Sequence, residues 1–256
     1  MVNDTYSELQ IREIFHLEFL RFFGRKIKPE LYALKGGVNL RLFFNSIRYS
    51  EDMDLDVEGL RVHILKDCVM ELLQIPAFKE NLQSFGIDRI VPPAIERAKQ
   101  TETTQRFKIH LVTSAGLDLF TKIEFSRRGM SPGPVIQAPS ETILRAYKIT
   151  SMPIPHYDIY SAITQKTGAL AGRATIQARD IFDLYILNSQ FDSKSAKRSM
   201  QMEKSLLLKA HETIFDVKFK VFRDTVVSYL APEDQPVYDN SSAWEEIQLK
   251  TAGFIK

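Results

Sequence analysis

Three aspartates, Asp52, Asp54 and Asp56, occupy every second position of a short segment in the N-terminal part of the chain. The residues between them are apolar, which is the period-two pattern of a strand with one buried face. The carboxylates then share the other face, where like charges repel one another unless a cation neutralises them. Hard oxygen ligands at this spacing suit Mg²⁺, which takes one or two carboxylates and completes its shell with water and substrate phosphate. The alternative is an acidic strand end on an ordinary α/β domain.

A pair of glycines, Gly36 and Gly37, precedes the aspartates. The apolar residues that follow the pair predict a short buried helix: Leu40, Leu42, Phe43 and Phe44. Glycine at such a turn lets backbone N–H groups approach a phosphate, and the N-terminus of the following helix adds partial positive charge there. The segment therefore combines a candidate phosphate site with a candidate metal site.

The string KGGVNLRLFFNSIRYSEDMDLDV, residues 35–57, resembles the nucleotidyltransferase superfamily in its diglycine turn, helix and D-x-D strand. It resembles one family more closely, the AbiEii toxins of type IV toxin–antitoxin systems, whose usual form is GGT-x-L…R-x-S-x-D-x-D. Arg48 and Ser50 take the arginine and the serine of that form. Val38 stands where the family usually has threonine or serine, whose hydroxyl would help to hold a nucleotide phosphate. Asn39, the polar residue next to it, is the candidate to replace that hydroxyl.

The resemblance implies an enzyme that moves a nucleotidyl group from an NTP to an acceptor hydroxyl, with release of pyrophosphate. It also implies an RNA acceptor, such as the 3′ end of a tRNA, and a cognate antitoxin as a protein partner. Asp52 and Asp54 would hold Mg²⁺ and act in catalysis. The residues that would bind the nucleotide within this string are Gly36, Gly37, Arg48 and Ser50.

Two further segments, 107–112 and 117–125, alternate in the manner of strands, with a turn candidate at 114–116 between them. They predict an antiparallel pair beside the aspartate strand. Glu124 lies on the polar face of the second segment, in the string K-I-E-F-S, which is similar to the family's second motif and implies a third metal ligand. The alternative is a solvent-facing pair of Lys122 and Glu124.

Residues 159–187 contain a second charged constellation, A-I-T-Q-K-T-G-A-L-A-G-R followed by A-R-D-I-F-D-L-Y. It resembles the third and fourth motifs of the same family. The resemblance implies that Lys166 contacts the triphosphate, as suits a compact charge, and that Asp180 orients this lysine or the acceptor. The alternatives are a solvated lysine and an aspartate that only stabilises a helix start. For Asp183, a buried salt bridge, with Arg179 as one partner, is an equal alternative to a role in the site.

The composition is that of an ordinary globular protein: 256 residues, 44% hydrophobic and 26% charged, with a formal net charge of +2. No apolar run approaches the roughly 20 residues of a membrane span, and the N-terminus has no secretory pattern. The single cysteine, Cys68, sits among apolar neighbours, which predicts a buried thiol. We expect a cytoplasmic protein without a membrane segment.

Apolar periodicity predicts helices over 6–23 and 60–73, the second closed by Pro76, whereas residues 86–106 predict a loop or an exposed edge. A composition break at 127–134 predicts a domain boundary. We therefore expect an α/β fold: a nucleotidyltransferase core of residues 1–130, with a mixed sheet and flanking helices, then a mainly helical C-terminal lobe of residues 131–256. We expect the active site between the two.

From Ser193 to Arg223 the chain has eight lysines and arginines against three acidic residues. The basic segment from Lys194 to Lys209 is a candidate surface for an RNA acceptor, and a solvated helix face is the alternative. Two other functions stay open at this point. One is a catalytically silent nucleotide- or RNA-binding module, which Val38 favours, and the other is a nucleotidyltransferase that modifies proteins.

Overall fold

The computed structural model of the protein describes residues 6–173, 175–191 and 203–255. The strands in these ranges are β1 (Tyr32–Lys35), β2 (Asp52–Val57), β3 (Ile87–Val91), β4 (Thr104–Thr113), β5 (Asp118–Ser126), β6 (Pro134–Gln137) and β7 (Ile154–Tyr157). The α-helices are α1 (Glu8–Lys26), α2 (Gly36–Phe43), α3 (Val62–Leu72), α4 (Pro76–Gln83), α5 (Glu141–Ala146), α6 (Ile159–Gly172), α7 (Ala178–Gln190), α8 (Lys204–Ile214), α9 (Phe219–Thr225), α10 (Gln235–Tyr238) and α11 (Ser241–Phe254). The predicted α/β fold, a mixed sheet with flanking helices and further helices after it, is confirmed.

The chain divides into two compact units. The first comprises the described residues through Asn39 together with Tyr49–His156, and it contains the sheet except for its last residue, Tyr157. The second comprises Leu40–Arg48 and the described chain from Tyr157 onward. The composition break near residue 130 therefore lies inside the first unit, and a short segment from the first quarter of the sequence belongs to the second.

The strands form one seven-stranded sheet in the order β3-β4-β5-β2-β1-β7-β6. The aspartate strand β2 is central, antiparallel to β1 and parallel to β5. β4 and β5 are antiparallel neighbours, as their alternation predicts, and the turn between them contains Gly116 at a φ of +78°. Since β2 has a strand on each side, its carboxylates lie within a continuous sheet face and not at an edge.

Helix α1 packs on the apolar face of this sheet. Ser7 closes its N-terminus with a capping box. Phe19 and Phe23 are fully buried, and the Phe23 ring centroid lies 5.5 Å from that of Phe125 on β5. The helix thus covers one side of the sheet and leaves the polar side of β2, β4 and β5 to carry the functional groups.

Helix α1 also continues through Gly24 to Lys26, beyond its predicted end. A Cβ on Gly24 would lie 3.0 Å from the Tyr32 hydroxyl oxygen, so glycine here permits a close approach of helix and strand. Burial raises the pKa of Tyr32 to about 12. The predicted helix stop was wrong because this glycine serves packing between elements.

The stretch 86–106 contains β3, which is an edge strand of the sheet, in line with the predicted exposed edge, and it also contains the start of β4. Two other local predictions need correction. Pro76 begins α4 instead of closing α3, since proline fits the first helical turn, where the missing N–H has no helical partner. Cys68 is half-buried and not buried, although burial still raises the pKa of its thiol.

The second unit has its own hydrophobic core. Phe182 of α7 and Trp244 of α11 are among its buried residues. The Trp244 ring stacks on Phe222 with centroids 4.3 Å apart, and its indole N–H donates to the Val217 carbonyl at 2.8 Å. Leu40, from the inserted segment, is 1% exposed in the same core. This core fixes α6 and α7, which carry the second charged constellation.

Candidate active site

The acidic cluster is a set of carboxylates on two neighbouring strands of the first unit. Glu124 of β5 is the register partner of Asp54, and β2 and β5 are parallel. Met53 and Leu55 are 0% exposed on the opposite face, so the aspartates share one face of the sheet as predicted. The members of the cluster are Asp52, Asp54, Asp56 and Glu124.

Two lysines neutralise the outer aspartates of the acidic cluster. Lys35 Nζ, at the end of β1, lies 2.5 Å from Asp56 Oδ1. Lys122 Nζ lies 3.0 Å from Asp52 Oδ2, and the two residues are register partners. The protein itself therefore supplies cations that relieve part of the repulsion between the three aspartates.

Asp54, in the middle, has a charge that its surroundings disfavour. Burial raises the pKa of its carboxyl, Lys35 and Lys122 lower it, and Glu124 and Asp52 raise it again, so that the pKa lies above its ordinary value. A carboxylate in this condition gains from any added cation, because the cation offsets the cost of desolvating the charge.

The first glycine of the diglycine pair lies directly against Asp54. Gly36 begins α2 with a φ of +71°, and a Cβ there would stand 3.0 Å from Asp54 Oδ2. Only glycine combines this left-handed conformation with so close an approach at low cost. The turn therefore brings the start of α2 beside the carboxylate, as a shared phosphate and metal site requires.

Glu124 is held by an arginine that sequence reasoning did not single out. Arg106 Nη2 on β4 lies 2.6 Å from Glu124 Oε2, whereas Lys122 Nζ is 4.0 Å from the same oxygen. Within the described residues, no three acidic, histidine or cysteine side chains are arranged to hold a metal ion. The pair Asp52 and Asp54 nevertheless fits Mg²⁺, which needs only one or two carboxylates. The contacts of Glu124 with Arg106 and Lys122 all involve Oε2.

The residues after the diglycine pair turn inward. The Val38 side chain is 3% exposed and packs in the core. Asn39, 1% exposed, lies with its Oδ1 2.9 Å from His156 Nδ1 on β7. The Asn39 side chain is therefore engaged by a buried histidine. This contact does not support Asn39 as a phosphate ligand. Gly37 and Ser50 are half-buried.

The lysine cluster lies in the second unit and joins α6 and α7 to the inserted segment. Lys166 Nζ on α6 lies 3.0 Å from Asp180 Oδ1 and 2.6 Å from Asp183 Oδ2. Asp183 also accepts two bonds from Arg48 Nη2, at 2.9 and 3.0 Å. Arg173 Nη1 lies 2.6 Å from Asp180 Oδ2. The cluster is therefore three cations around two carboxylates, with one net positive charge.

Burial and ion pairing oppose each other in the lysine cluster, and pairing prevails. Burial lowers the pKa of Lys166, but Asp183 and Asp180 outweigh it, so the pKa is raised. Burial likewise raises the pKa of Asp183, but Arg48 and Lys166 outweigh it, so the pKa is lowered. Both shifts favour the charged form, so Lys166 and Asp183 face each other as a cation and an anion. Lys166 is consequently neither a solvated surface lysine nor a neutral base.

Asp183 forms the buried salt bridge considered for it, but with a different partner. Arg179 is exposed and donates to the Gln177 side chain, while Arg48 takes Asp183. Arg48 has a 5% exposed side chain. Its assignment to nucleotide binding stays a prediction, and this contact gives it a structural role in holding Asp183.

The basic segment is only partly described. Lys194, Lys197 and Arg198 lie outside the described residues, and Lys204 and Lys209 lie on α8. The prediction of an RNA surface there remains untested.

A mixed sheet that carries a diglycine turn against a D-x-D strand defines a nucleotidyltransferase. The family model described as "Nucleotidyl transferase AbiEii toxin, Type IV TA system" matches residues 19–240, a range that includes both clusters. The chain belongs to this AbiEii family of nucleotidyltransferase toxins.

Two solved structures resemble the chain over nearly its whole length. JHP933 from Helicobacter pylori has a TM-score of 0.57 at 18% identity, covering 98% of this chain and 93% of that one. MenT4, the nucleotidyltransferase toxin Rv2826c from Mycobacterium tuberculosis H37Rv, has a TM-score of 0.58 at 16% identity, covering 97% and 84%. At such low identity the likeness concerns the fold, and it confirms the nucleotidyltransferase-like architecture. Comparison with curated proteins finds no match. In the described part of the chain, no helix has the length and hydropathy to cross a membrane.

Proposed function

We propose that this toxin transfers a nucleotidyl group from an NTP to a hydroxyl of RNA, such as the 3′ end of a tRNA, and that a cognate antitoxin restrains it. In the reaction, the acceptor oxygen forms a bond to the α-phosphorus while the bond from that phosphorus to pyrophosphate breaks. The observation that carries the proposal is the contact of Gly36 with Asp54, within a strand pair that also presents Asp52 and Glu124.

Asp52 and Asp54 are the residues that would hold Mg²⁺, with Glu124 as the third carboxylate. When bound there, Mg²⁺ would lower the pKa of the acceptor hydroxyl and neutralise charge on the leaving group. Lys122 and Arg106 each contact one oxygen of these carboxylates, Asp52 Oδ2 and Glu124 Oε2, and would hold the side chains in place. The raised pKa of Asp54 supports its assignment as a metal ligand, because a bound cation would offset the cost of its buried charge.

Gly36 and Gly37 would bind substrate phosphate through their backbone N–H groups. Because the Val38 side chain is buried, the backbone of this turn takes the role that a hydroxyl would otherwise share. Lys166 would contact the triphosphate. Asp180 accepts a hydrogen bond from Lys166, which supports a role for Asp180 in orienting the lysine over a direct role toward the acceptor.

The proposal is tested by label transfer from each of the four α-³²P-NTPs to total RNA in the presence of Mg²⁺. We expect labelled RNA with the wild-type protein and none with Asp54→Asn. Since that change removes a costly charge, the variant should be at least as stable as wild type in thermal unfolding without Mg²⁺. Mg²⁺ and NTP together should stabilise wild type and not Asp54→Asn.

Asp56→Asn is the matched control in the same strand. The substitution removes the charged partner of Lys35, so we expect a lower free energy of unfolding. Asp56 is not a proposed metal ligand, so the variant should retain nucleotide transfer. Equal transfer by Asp54→Asn and wild type would contradict the assignment of the site. Label in protein and not in RNA would contradict the proposed acceptor.

A further inference from the structure

The polar face of the sheet does not end at the acidic cluster. Beyond it, β4 and β5 present alternate side chains on the same face, in the register pairs Arg106 with Glu124, Lys108 with Lys122, and His110 with Phe120. We define the aromatic–basic strip as the cations and rings of this face: Arg106, Lys108, His110, Phe120 and Lys122.

Two aromatic rings form a flat platform at one end of the strip. His110 and Phe120 are stacked, with centroids 4.6 Å apart and planes inclined by 21°. Asp118 holds the imidazole, since its Oδ1 lies 2.6 Å from His110 Nε2. Phe120 is nevertheless 62% exposed. A phenylalanine fixed from one side and open to solvent has a ring surface left for another planar group.

Two lysines face each other directly beside the platform. Lys108 and Lys122 are register partners on adjacent antiparallel strands. Like charges in this position destabilise a sheet. Asp52 and Glu124 offset the charge of Lys122, but they do not offset the charge of Lys108. Lys108 is exposed, so an anion bound over the pair would remove the repulsion. The strip therefore pairs a site for a planar ring with a site for a negative charge.

We propose that the aromatic–basic strip binds single-stranded RNA, with a base stacked on Phe120 and a phosphate beside Lys108. This inference rests on the proposed function, because it assigns the surface that presents the acceptor to the acidic cluster. An open sheet face with exposed aromatic residues among cations is a common platform for single-stranded nucleic acid, since every base has a face that can stack. The strip meets the acidic cluster at Lys122, which contacts Asp52.

The test measures the affinity of the full-length protein for a 5′-fluorescein RNA of roughly ten nucleotides, a length within the range of single-strand sites. Fluorescence anisotropy is recorded without NTP or Mg²⁺, so that no transfer takes place. We expect Phe120→Ala to weaken binding by about 5- to 150-fold, as loss of one base–aromatic stack does. Lys108→Gln should reduce the slope of log affinity against log salt concentration by about 0.7.

Two variants serve as matched controls. Phe215 is also an exposed phenylalanine beside a histidine, at 51% exposure and 6.0 Å from the His211 ring, but it lies in the second unit. Lys28 is an exposed lysine of the first unit away from the strip. We expect Phe215→Ala and Lys28→Gln to bind RNA as wild type does.

Two results would overturn the strip as an RNA site. They are unchanged affinity in Phe120→Ala and an equal loss in Phe215→Ala. Transfer assays on the same proteins separate this inference from the proposed function. If wild type transfers label to RNA and Phe120→Ala has the same KM for RNA, the strip is wrong and the function stands. If wild type binds RNA through Phe120 but transfers nothing to it, the function is wrong and the strip stands.

Discussion

Among single residues, His16 on α1 shows how a buried titratable group ties stability to pH. It is 1% exposed, and its Nε2 lies 2.8 Å from Thr121 Oγ1. The Thr121 hydroxyl donates to the Glu51 carbonyl, so its oxygen accepts from His16 and fixes the neutral tautomer with the proton on Nε2. Burial, and then the charge of Arg12, lower the pKa of His16 to about 3.

This lowered pKa predicts a loss of stability in mild acid. Below the ordinary histidine pKa of 6.5 the unfolded chain binds a proton that the folded chain binds only near pH 3, so lowering the pH favours unfolding. From this one group, the free energy of unfolding falls by up to about 1.4 kcal/mol for each pH unit of acidification. We expect urea unfolding at pH 7.5 and 5.5 to show a smaller loss of stability for His16→Gln than for wild type. His63→Gln, at an exposed position, should follow wild type, and parallel curves for all three would contradict the prediction.

The residues of the acidic cluster were predictable because strand alternation is a local pattern. Asp52 and Asp54 share a face by period two, and Glu124 follows from the same rule on a second strand. The partners of these residues were not predictable. Arg106 meets Glu124, and Arg48 meets Asp183, through strand order and chain path, whereas sequence proximity suggested Lys122 and Arg179.

At the scale of elements, the junction of β1, α2 and β2 shows how backbone conformation positions a side chain. β1 and β2 are antiparallel, with Lys35 opposite Asp54, and Gly36 then turns the chain into α2. The carboxylate and the helix start are therefore set by one turn.

Gly36→Ala should have two effects at this junction: strain from the left-handed backbone conformation, and a clash of the new Cβ with Asp54. Gly116 has a similar φ of +78°, but no atom lies within 4 Å of the position of its Cβ. We expect both variants to lose stability, by about 1–2 kcal/mol for the left-handed conformation. Only Gly36→Ala should also displace Asp54 and lose nucleotide transfer, as measured by the label assay. Equal activity in the two variants would show that the contact with Asp54 does not matter.

Prediction of elements succeeded where the pattern was long and failed where it was short. The alternation in β4 and β5 extends over enough residues to identify both strands. β6 and β7 have four residues each. The residues of β6 are exposed except for one that is half-buried, and all residues of β7 are buried, so neither strand shows a period of two. Their place in the sheet depends on pairing with distant strands.

For the molecule as a whole, the buried pair of Arg48 and Asp183 links the inserted segment to the core of the second unit. Arg48→Met would leave a buried carboxylate short of one partner, which costs about 3–5 kcal/mol when a buried pair is broken. Trp244 is the single tryptophan of the chain and is 2% exposed in that core, so its fluorescence follows this unit. We expect its unfolding transition in urea to move to lower concentration.

Arg179→Met is the control, because Arg179 is exposed and bonded to Gln177. It should change the free energy of unfolding by no more than about 0.5 kcal/mol. If Arg48→Met and Arg179→Met unfolded alike, the ion pair with Asp183 would contribute nothing to the second unit.

The insertion of Leu40–Arg48 into the second unit has a consequence for synthesis on the ribosome. Arg48 and Asp183 are 135 positions apart, so the arginine leaves the exit tunnel long before its partner is made. At roughly 5–20 residues per second, the delay is roughly 7–27 seconds. During this time Leu40 and its neighbours have no core to enter, and the nascent chain presents an apolar helix end. The growing chain thus exposes this apolar segment until the second unit has been synthesised.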